Sequence, residues 1–273
     1  MTGSSTDRGR VALVTGASEG IGLASARHLA AAGHAVILAA RNRPALEKAA
    51  ATIEADIAGA RVTVLELDVG SVASMDAALA EIAGSALRID ILVNNAGLVI
   101  GPAAFSEATA EAVQKSLEVN LFGAMHLTQR LLPAMRERQY GRIVNIASTA
   151  GMHGPPGLIP YSVSKAALIA FTRTLAVEVA RAGVSVTSVS PGPVATANYR
   201  ASKGAEGVAN RARPIPSGRL AEPDDVGALV AFLASEGAGH LTGQNIALDG
   251  GEDAAGPYVS MVLQQRAARE SGK

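Results

Sequence analysis

The 273-residue sequence predicts an α/β fold: one doubly wound parallel sheet of about seven strands with helices on both faces. Three observations carry this. Short β-rich runs alternate with longer Ala/Leu-rich stretches of helical period, the signature of repeated βαβ units. Most of the β-rich runs are continuously apolar rather than alternating, as strands are when helices cover both faces of their sheet. The first run also leads through a glycine-rich turn straight into a helical pattern.

In chain order the strands are expected at Val11–Thr15, Ala35–Ala40, Val62–Leu67, Ile91–Asn94, Ile143–Ala147, Val184–Val189 and Asn245–Leu248. Helical patterns fill the intervals at Ile21–Ala32, Pro44–Ala58, Val72–Ala83, Glu111–Arg138, Tyr161–Arg181 and Pro223–Ala234. Pro133 is expected to bend or end the fourth of these, since it lacks an amide N–H and clashes with the preceding turn. Two stretches break the rhythm: the Gly/Pro-rich segment Gly151–Pro160 and the long segment Pro191–Pro216. Both follow the carboxyl ends of strands, where open α/β sheets bind ligands. The organisation reads as a short polar arm over residues 1–10, one domain over 11–251, and an extension over 252–273.

Composition narrows the function. Lys plus Arg and Asp plus Glu both total 24, so overall charge supplies no drive toward nucleic acid or an anionic membrane. A small-molecule substrate is the expectation. Cysteine is absent, which excludes disulfides, thiolate chemistry and cysteine-ligated zinc. The five histidines are scattered without a metal-binding pair, and no metal is expected. Without an apolar leader or a long apolar run, a cytoplasmic location is expected.

The turn Thr15-Gly16-Ala17-Ser18-Glu19-Gly20-Ile21-Gly22 sits where a dinucleotide needs bare backbone and a helix N-terminus for its pyrophosphate. Gly16, Ser18, Gly20, Ile21 and Gly22 are therefore candidate cofactor contacts in a Rossmann-like domain. The same residues read as Gly-x-Ser-x-Gly, the nucleophile elbow of α/β hydrolases. That reading fails on the missing oxyanion segment and leaves Gly22 unexplained. The Ser-x-x-Lys formed by Ser162 and Lys165 likewise lacks the partner motifs of β-lactamases.

Ser148, Tyr161 and Lys165 form Ser-x12-Tyr-x3-Lys. On a helix, Tyr161 and Lys165 share one face, where an ammonium beside a phenol would lower its pKa from near 10. Tyr161 could then exchange a proton with a carbinol oxygen. Singly, Ser148 could cap a strand, Tyr161 could be core and Lys165 could lie on a solvated face; the shared spacing is what joins them.

Together with Asn94-Asn95-Ala96-Gly97, Asp68-Val69, Asn120, Pro191-Gly192-Pro193-Val194-Ala195-Thr196, and the later Gly218-Arg219, Glu222-Pro223, Leu241-Thr242-Gly243-Gln244 and Asp249-Gly250-Gly251 segments, the chain resembles the short-chain dehydrogenase/reductase family, and within it the 3-oxoacyl-acyl-carrier-protein reductases. The resemblance covers about Gly9 to Gly251. It implies Tyr161 as general acid/base, Lys165 lowering its pKa and holding the nicotinamide ribose, Ser148 hydrogen-bonding the substrate oxygen, and Asn120 holding a water that links Lys165 to solvent. It also implies cofactor contacts at Asp68, Val69, Asn94, Ala96, Gly97, Pro191, Gly192, Val194 and Thr196, and a homodimer or homotetramer built on the long fourth and fifth helices and the carboxyl-terminal region.

Strand two ends Ala40-Arg41-Asn42, about 20 residues after the glycine turn, where an acid would bind a free ribose 2′-hydroxyl. Ala40 stands in its place and Arg41 could meet a 2′-phosphate, which favours NADP(H) over NAD. Glu19 departs from this pattern, because many NADP-preferring relatives carry Lys or Arg there. The expected reaction is hydride transfer between nicotinamide and a carbonyl or secondary alcohol, with a 3-oxoacyl thioester or polyketide-like ketone as first substrate. A sugar, steroid or small-alcohol dehydrogenase is the alternative, and a non-catalytic nucleotide sensor a third reading.

Leu98, Val99, Ile100, Met152, Pro155, Leu158 and Ile159 suggest an apolar substrate side, or loop core. His153 is either a substrate contact or a surface histidine. Arg200, Lys203, Arg211, Arg213 and Arg219 against Glu206 make the stretch that resembles the family's lid cationic, so that it either attracts an anionic substrate or is a solvated loop. Tyr258, Val259, Met261, Val262 and Leu263 suggest an apolar patch that either docks on a neighbouring subunit or frays.

Overall fold

The computed structural model of the chain describes residues 9–85, 87–256, 261–263 and 265. Seven strands are present: β1 Val11–Thr15, β2 Ala35–Ala40, β3 Arg61–Glu66, β4 Ile89–Asn94, β5 Gly141–Ile146, β6 Val184–Pro191 and β7 Asn245–Leu248. All pair in parallel, in the order β3-β2-β1-β4-β5-β6-β7. The order reverses between β1 and β4, so the carboxyl ends of these two strands open a crevice. Each expected strand is found, with its ends displaced by no more than about two residues, the ordinary spread of strand boundaries.

The helices are α1 Gly20–Ala31, α2 Arg43–Asp56, α3 Val72–Ala83, α4 Ala110–Leu117, α5 Gly123–Glu137, α6 Ile159–Val179, α7 Ala197–Ala212 and α8 Pro223–Ala234. Start signals are local: Asn42, Ser71, Thr109 and Thr196 each accept a backbone N–H of the following first turn, which satisfies a donor that the helix itself leaves free. In α8, Glu222 and Asp225 bond reciprocally to the same turn.

Because strand side chains alternate, neighbouring residues of β1 serve different cores. Leu13 packs with Ile37, Leu92, Leu127, Ile143 and Val186 on one face. Ala12 and Val14 pack with Leu29, Leu38, Ile53, Ile91 and Val230 on the other. The two cores clamp the sheet so that its carboxyl edge, which carries the loops, is rigidly presented.

Two expectations need correction. The long fourth helix is not broken at Pro133, which sits inside α5; it is broken at Glu118–Phe122, where one turn of π-helix separates α4 from α5. An inserted residue of this kind rotates the next helical segment relative to the previous one and commonly lies at functional sites, and here the turn holds Asn120. The long stretch after β6 is not irregular throughout: α7 spans most of it, kinked at Gly204, whose φ is 65°. No residue of α7 is buried, so tertiary pattern gave little signal for it.

Candidate active site

The carboxyl edge of the sheet bounds a cavity of about 1340 Å³. The glycine turn forms one end, the β2 terminus with Arg41 and Asn42 lies beside it, and Ser148, Tyr161 and Lys165 stand at the other. Of the expected cofactor contacts, Gly16, Ser18, Gly20, Ile21, Arg41, Asp68, Val69, Ala96, Gly97, Pro191, Gly192, Val194 and Thr196 line this one space.

The glycine turn is folded by left-handed backbone and by close approach. Gly16 and Gly20 have φ of +65° and +57°, a left-handed conformation that costs other residues about 1–2 kcal/mol. At Gly22 a Cβ would stand 2.2 Å from the Gly16 carbonyl oxygen and 2.5 Å from Asn95 Nδ2. Gly22 therefore shapes the turn from behind and does not line the cavity. Asn95 locks the turn, its Nδ2 donating to Thr15 O at 2.8 Å and Gly16 O at 3.2 Å. Asn95, not Asn94, faces the cavity. Asn94 is buried beneath it, donating to Asn145 Oδ1 at 2.8 Å and Thr128 Oγ1 at 3.3 Å, and ties β4 to β5. Sequence alone singled out Asn94, because both asparagines sit in one motif and the strand register that turns one inward was not readable.

Lys165 projects from α6 to the end of β5, where Nζ donates to Ile146 O at 2.7 Å. It is 3% exposed, and burial pulls its pKa down to about 8, because a desolvated ammonium loses its hydration. Gly97 packs beside it; a Cβ there would lie 3.5 Å from Lys165 Nζ and 3.3 Å from Asn120 Oδ1. Ser148, at the end of the β5 loop, accepts the Ala150 N–H at 3.1 Å. That loop can press on α6 only because Gly151 has no side chain: a Cβ would meet Ala166 N and Lys165 C at 2.7 Å.

Tyr161 stands one helical turn before Lys165. Burial raises its phenol above the usual value, and a hydrogen bond with Ser148 opposes this only in part. The expectation that Lys165 lowers the phenol is corrected: the ammonium lies 5.8 Å from the ring centroid and directs a proton at the Ile146 carbonyl, so desolvation prevails. The protein by itself thus presents a protonated phenol beside a hydroxyl.

Asn120 is buried and does not line the cavity. Its Oδ1 accepts Leu98 N–H at 2.6 Å, and Nδ2 donates to Leu98 O at 2.9 Å, Ser164 Oγ at 3.0 Å and Ser116 Oγ at 3.2 Å. Its side chain is engaged in clamping the loop after β4 to α6, with Ser164 Oγ in turn donating to Tyr161 O at 2.7 Å. A water-holding role would fall to atoms other than this amide.

Leu98 and Val99 line the mouth of the cavity, while Met152 and Ile159 are exposed. His153 is exposed and lies 3.5 Å from Asp253 Oδ1. The cationic stretch is largely compensated: Arg200 pairs with Glu222, Arg211 with Glu252 and Arg219 with Asp225. These acids come from outside the stretch, which is why a local charge count overstated it. In the extension, Met261 and Val262 are exposed, whereas Tyr258 and Val259 lie outside the described residues. Among the described residues no cluster of His, Cys, Asp and Glu is arranged to hold a metal, and no helix is long and apolar enough to cross a membrane.

The family model described as short chain dehydrogenase matches residues 10–206. The chain is 39% identical over 245 residues to an acetoacetyl-CoA reductase of Shinella zoogloeoides, covering 89% of this chain and 98% of that one. It is 39% identical over 246 residues to a 3-oxoacyl-(acyl-carrier-protein) reductase of Aquifex aeolicus, covering 89% and 97%. A crystal structure of a variant actinorhodin polyketide ketoreductase with NADPH superposes with a TM-score of 0.84 and 36% identity, over 91% of this chain and 99% of that chain.

The buried lysine gives a pH test. Below about pH 8 Lys165 is charged in both the folded and unfolded chain, and folding bears the cost of burying it. Between about 8 and the ordinary value of 10.5, the unfolded chain still holds the proton that the folded chain has released, so stability rises with pH. Denaturant unfolding of wild type and Lys165→Met across this window should show wild type gaining up to about 3 kcal/mol relative to the variant. Parallel pH curves would contradict the assignment.

Proposed function

Because the chain belongs to the short-chain dehydrogenase family, a family of oxidoreductases, we propose that it is an NADP(H)-dependent ketoreductase acting on a 3-oxoacyl thioester or a similar β-keto substrate. The observation that carries the proposal is the single cavity joining a carboxylate-free β2 end, at Arg41, to Tyr161, Lys165 and Ser148.

The residues present fit the cofactor. Gly16, Ser18, Gly20 and Ile21 place backbone and a helix N-terminus toward a diphosphate. Arg41 makes no ion pair among the described residues, leaving its guanidinium free for a 2′-phosphate, with Asn42 beside it. Asp68 and Val69 flank the adenine end, and Pro191, Gly192, Val194 and Thr196 the carboxamide end. When bound, the nicotinamide supplies or accepts the hydride at the carbonyl carbon. NADPH in the related polyketide ketoreductase structure supports this choice.

The protein's own part is the proton and the charge. Ser148 hydrogen-bonds the substrate oxygen as negative charge develops there, and Tyr161 delivers its phenolic proton to that oxygen. The buried phenol, held above its ordinary value, enters the reduction as the proton donor. Lys165, still largely protonated near neutrality, is the cation placed to hold the ribose. Asn120 is a positioning residue that keeps Leu98 and α6 in register. Leu98 and Val99 at the mouth suit an acyl chain, and the reductases of acetoacetyl-CoA and of 3-oxoacyl carrier protein among the relatives support that substrate class.

The working unit is proposed to be a cytoplasmic homodimer or homotetramer. Phe122, Met125, Val163 and Val177 are exposed on and around α5 and α6, Val177 by 85%, and an apolar surface of this kind is costly to leave in water. Sedimentation velocity should find an assembly larger than one chain, and a monomer at micromolar concentration would refute it.

Spectrophotometric turnover tests the central reading. Acetoacetyl-CoA with NADPH should give a kcat/KM at least about tenfold above that for a sugar-derived ketone; the reverse order would overturn the substrate class. Arg41→Ala should weaken NADPH binding by about tenfold, the lower end for an exposed charged contact, and leave NADH unchanged. Equal loss for both coenzymes would overturn the 2′-phosphate assignment.

A further inference from the structure

Glu19 presents a problem for a cofactor with a 2′-phosphate. It lies in the glycine turn between Ser18 and Gly20, lines the same cavity as Arg41 and Asn42, and adds a negative charge where the proposed ligand brings about two more. Its position is the N-cap of α1, yet its side chain makes no capping bond there. The carboxylate instead reaches across the cleft, where Asn198 Nδ2 donates to Glu19 Oε1 at 2.7 Å.

This contact is supported from both sides. Thr196 caps α7 by accepting Tyr199 N–H at 3.2 Å, which sets Asn198 in the helix's first turn. A Cβ on Gly20 would lie 3.4 Å from Thr196 Cγ2, so the start of α7 rests directly on the glycine turn. The positive end of the α7 dipole and the Asn198 amide together favour a carboxylate at this point. Glu19 forms no ion pair with Arg41 or any other cation among the described residues. Its carboxylate is therefore engaged by α7 and is bonded neither to the first turn of α1 nor to Arg41.

We propose that Asn198 is a coenzyme-specificity residue: by holding Glu19 against α7, it keeps that carboxylate from repelling the 2′-phosphate, so that NADP(H) is accepted despite an acidic residue in the turn. The inference rests on the NADP(H) reading above. It assigns to the substrate lid a part in coenzyme choice, through one hydrogen bond that spans the cleft.

Fluorescence titration of NADPH and NADH into wild type, Asn198→Ala, Glu19→Gln and the double variant measures this without turnover. Both side chains are exposed, so the variants should fold, and their circular dichroism and melting temperature should match wild type. Asn198→Ala should weaken NADPH about 3- to 10-fold, as expected for a freed like charge near the surface, and NADH less than about twofold. Adding Glu19→Gln should restore NADPH affinity to within about twofold of wild type, because it removes the charge. Equal weakening of both coenzymes, or no recovery in the double variant, would overturn the proposal while wild type still prefers NADPH. A wild type that binds NADH at least as tightly would overturn the NADP(H) reading itself, and the specificity role with it.

Discussion

Everything at the cavity is arranged around one ammonium group that has been taken out of water. Lys165 is 3% exposed and bonded to the Ile146 carbonyl at 2.7 Å, and such a charge is costly to bury unless its neighbours are fixed. The fixing is visible in every direction. The end of β5 supplies the carbonyl, Gly97 closes the β4 side, and Gly151 lets the Ser148 loop press on α6 behind the lysine. Asn120 and Ser164 then tie the β4 loop to the backbone of Tyr161. The Tyr161 phenol, the proposed proton donor, is thus placed by the same contacts that hold the lysine.

The two-sided core makes this possible. Leu13 and Val14, adjacent on β1, anchor opposite faces of the sheet, so the carboxyl edges of β1, β4 and β5 cannot shift independently. A site assembled from separate loops then inherits the rigidity of the sheet, which is the preorganisation that the proposed proton transfer requires.

Much of this was legible in the sequence, for physical reasons. Continuous apolar runs marked the strands because both faces are covered, and the glycines marked the turn because Gly16 and Gly20 take a left-handed φ and Gly16 and Gly22 leave no room for a Cβ. Tyr161 and Lys165 share a helix face by spacing alone. The features that could not be read depended on tertiary context. The π-turn at Asn120 has no local signature, so the helix read as continuous and Pro133 drew the suspicion. Asn95 replaced Asn94 at the cavity because strand pairing decides which amide turns inward. The charge of the stretch before Arg219 was overcounted because Glu222, Asp225 and Glu252 answer it from elsewhere. The direction of the Tyr161 shift depended on burial, which spacing does not reveal.

The central claim is that the Tyr161 hydroxyl is the proton donor to the substrate oxygen and is not needed for holding the cofactor. Tyr161→Phe removes that hydroxyl and keeps the ring. Single-turnover reduction of acetoacetyl-CoA at saturating NADPH, with coenzyme affinity measured in parallel, is the most direct measurement. The account predicts a hydride-transfer rate lower by about 10² to 10⁴-fold with NADPH affinity nearly unchanged. A Tyr161→Phe enzyme that turns over at close to the wild-type rate would contradict it.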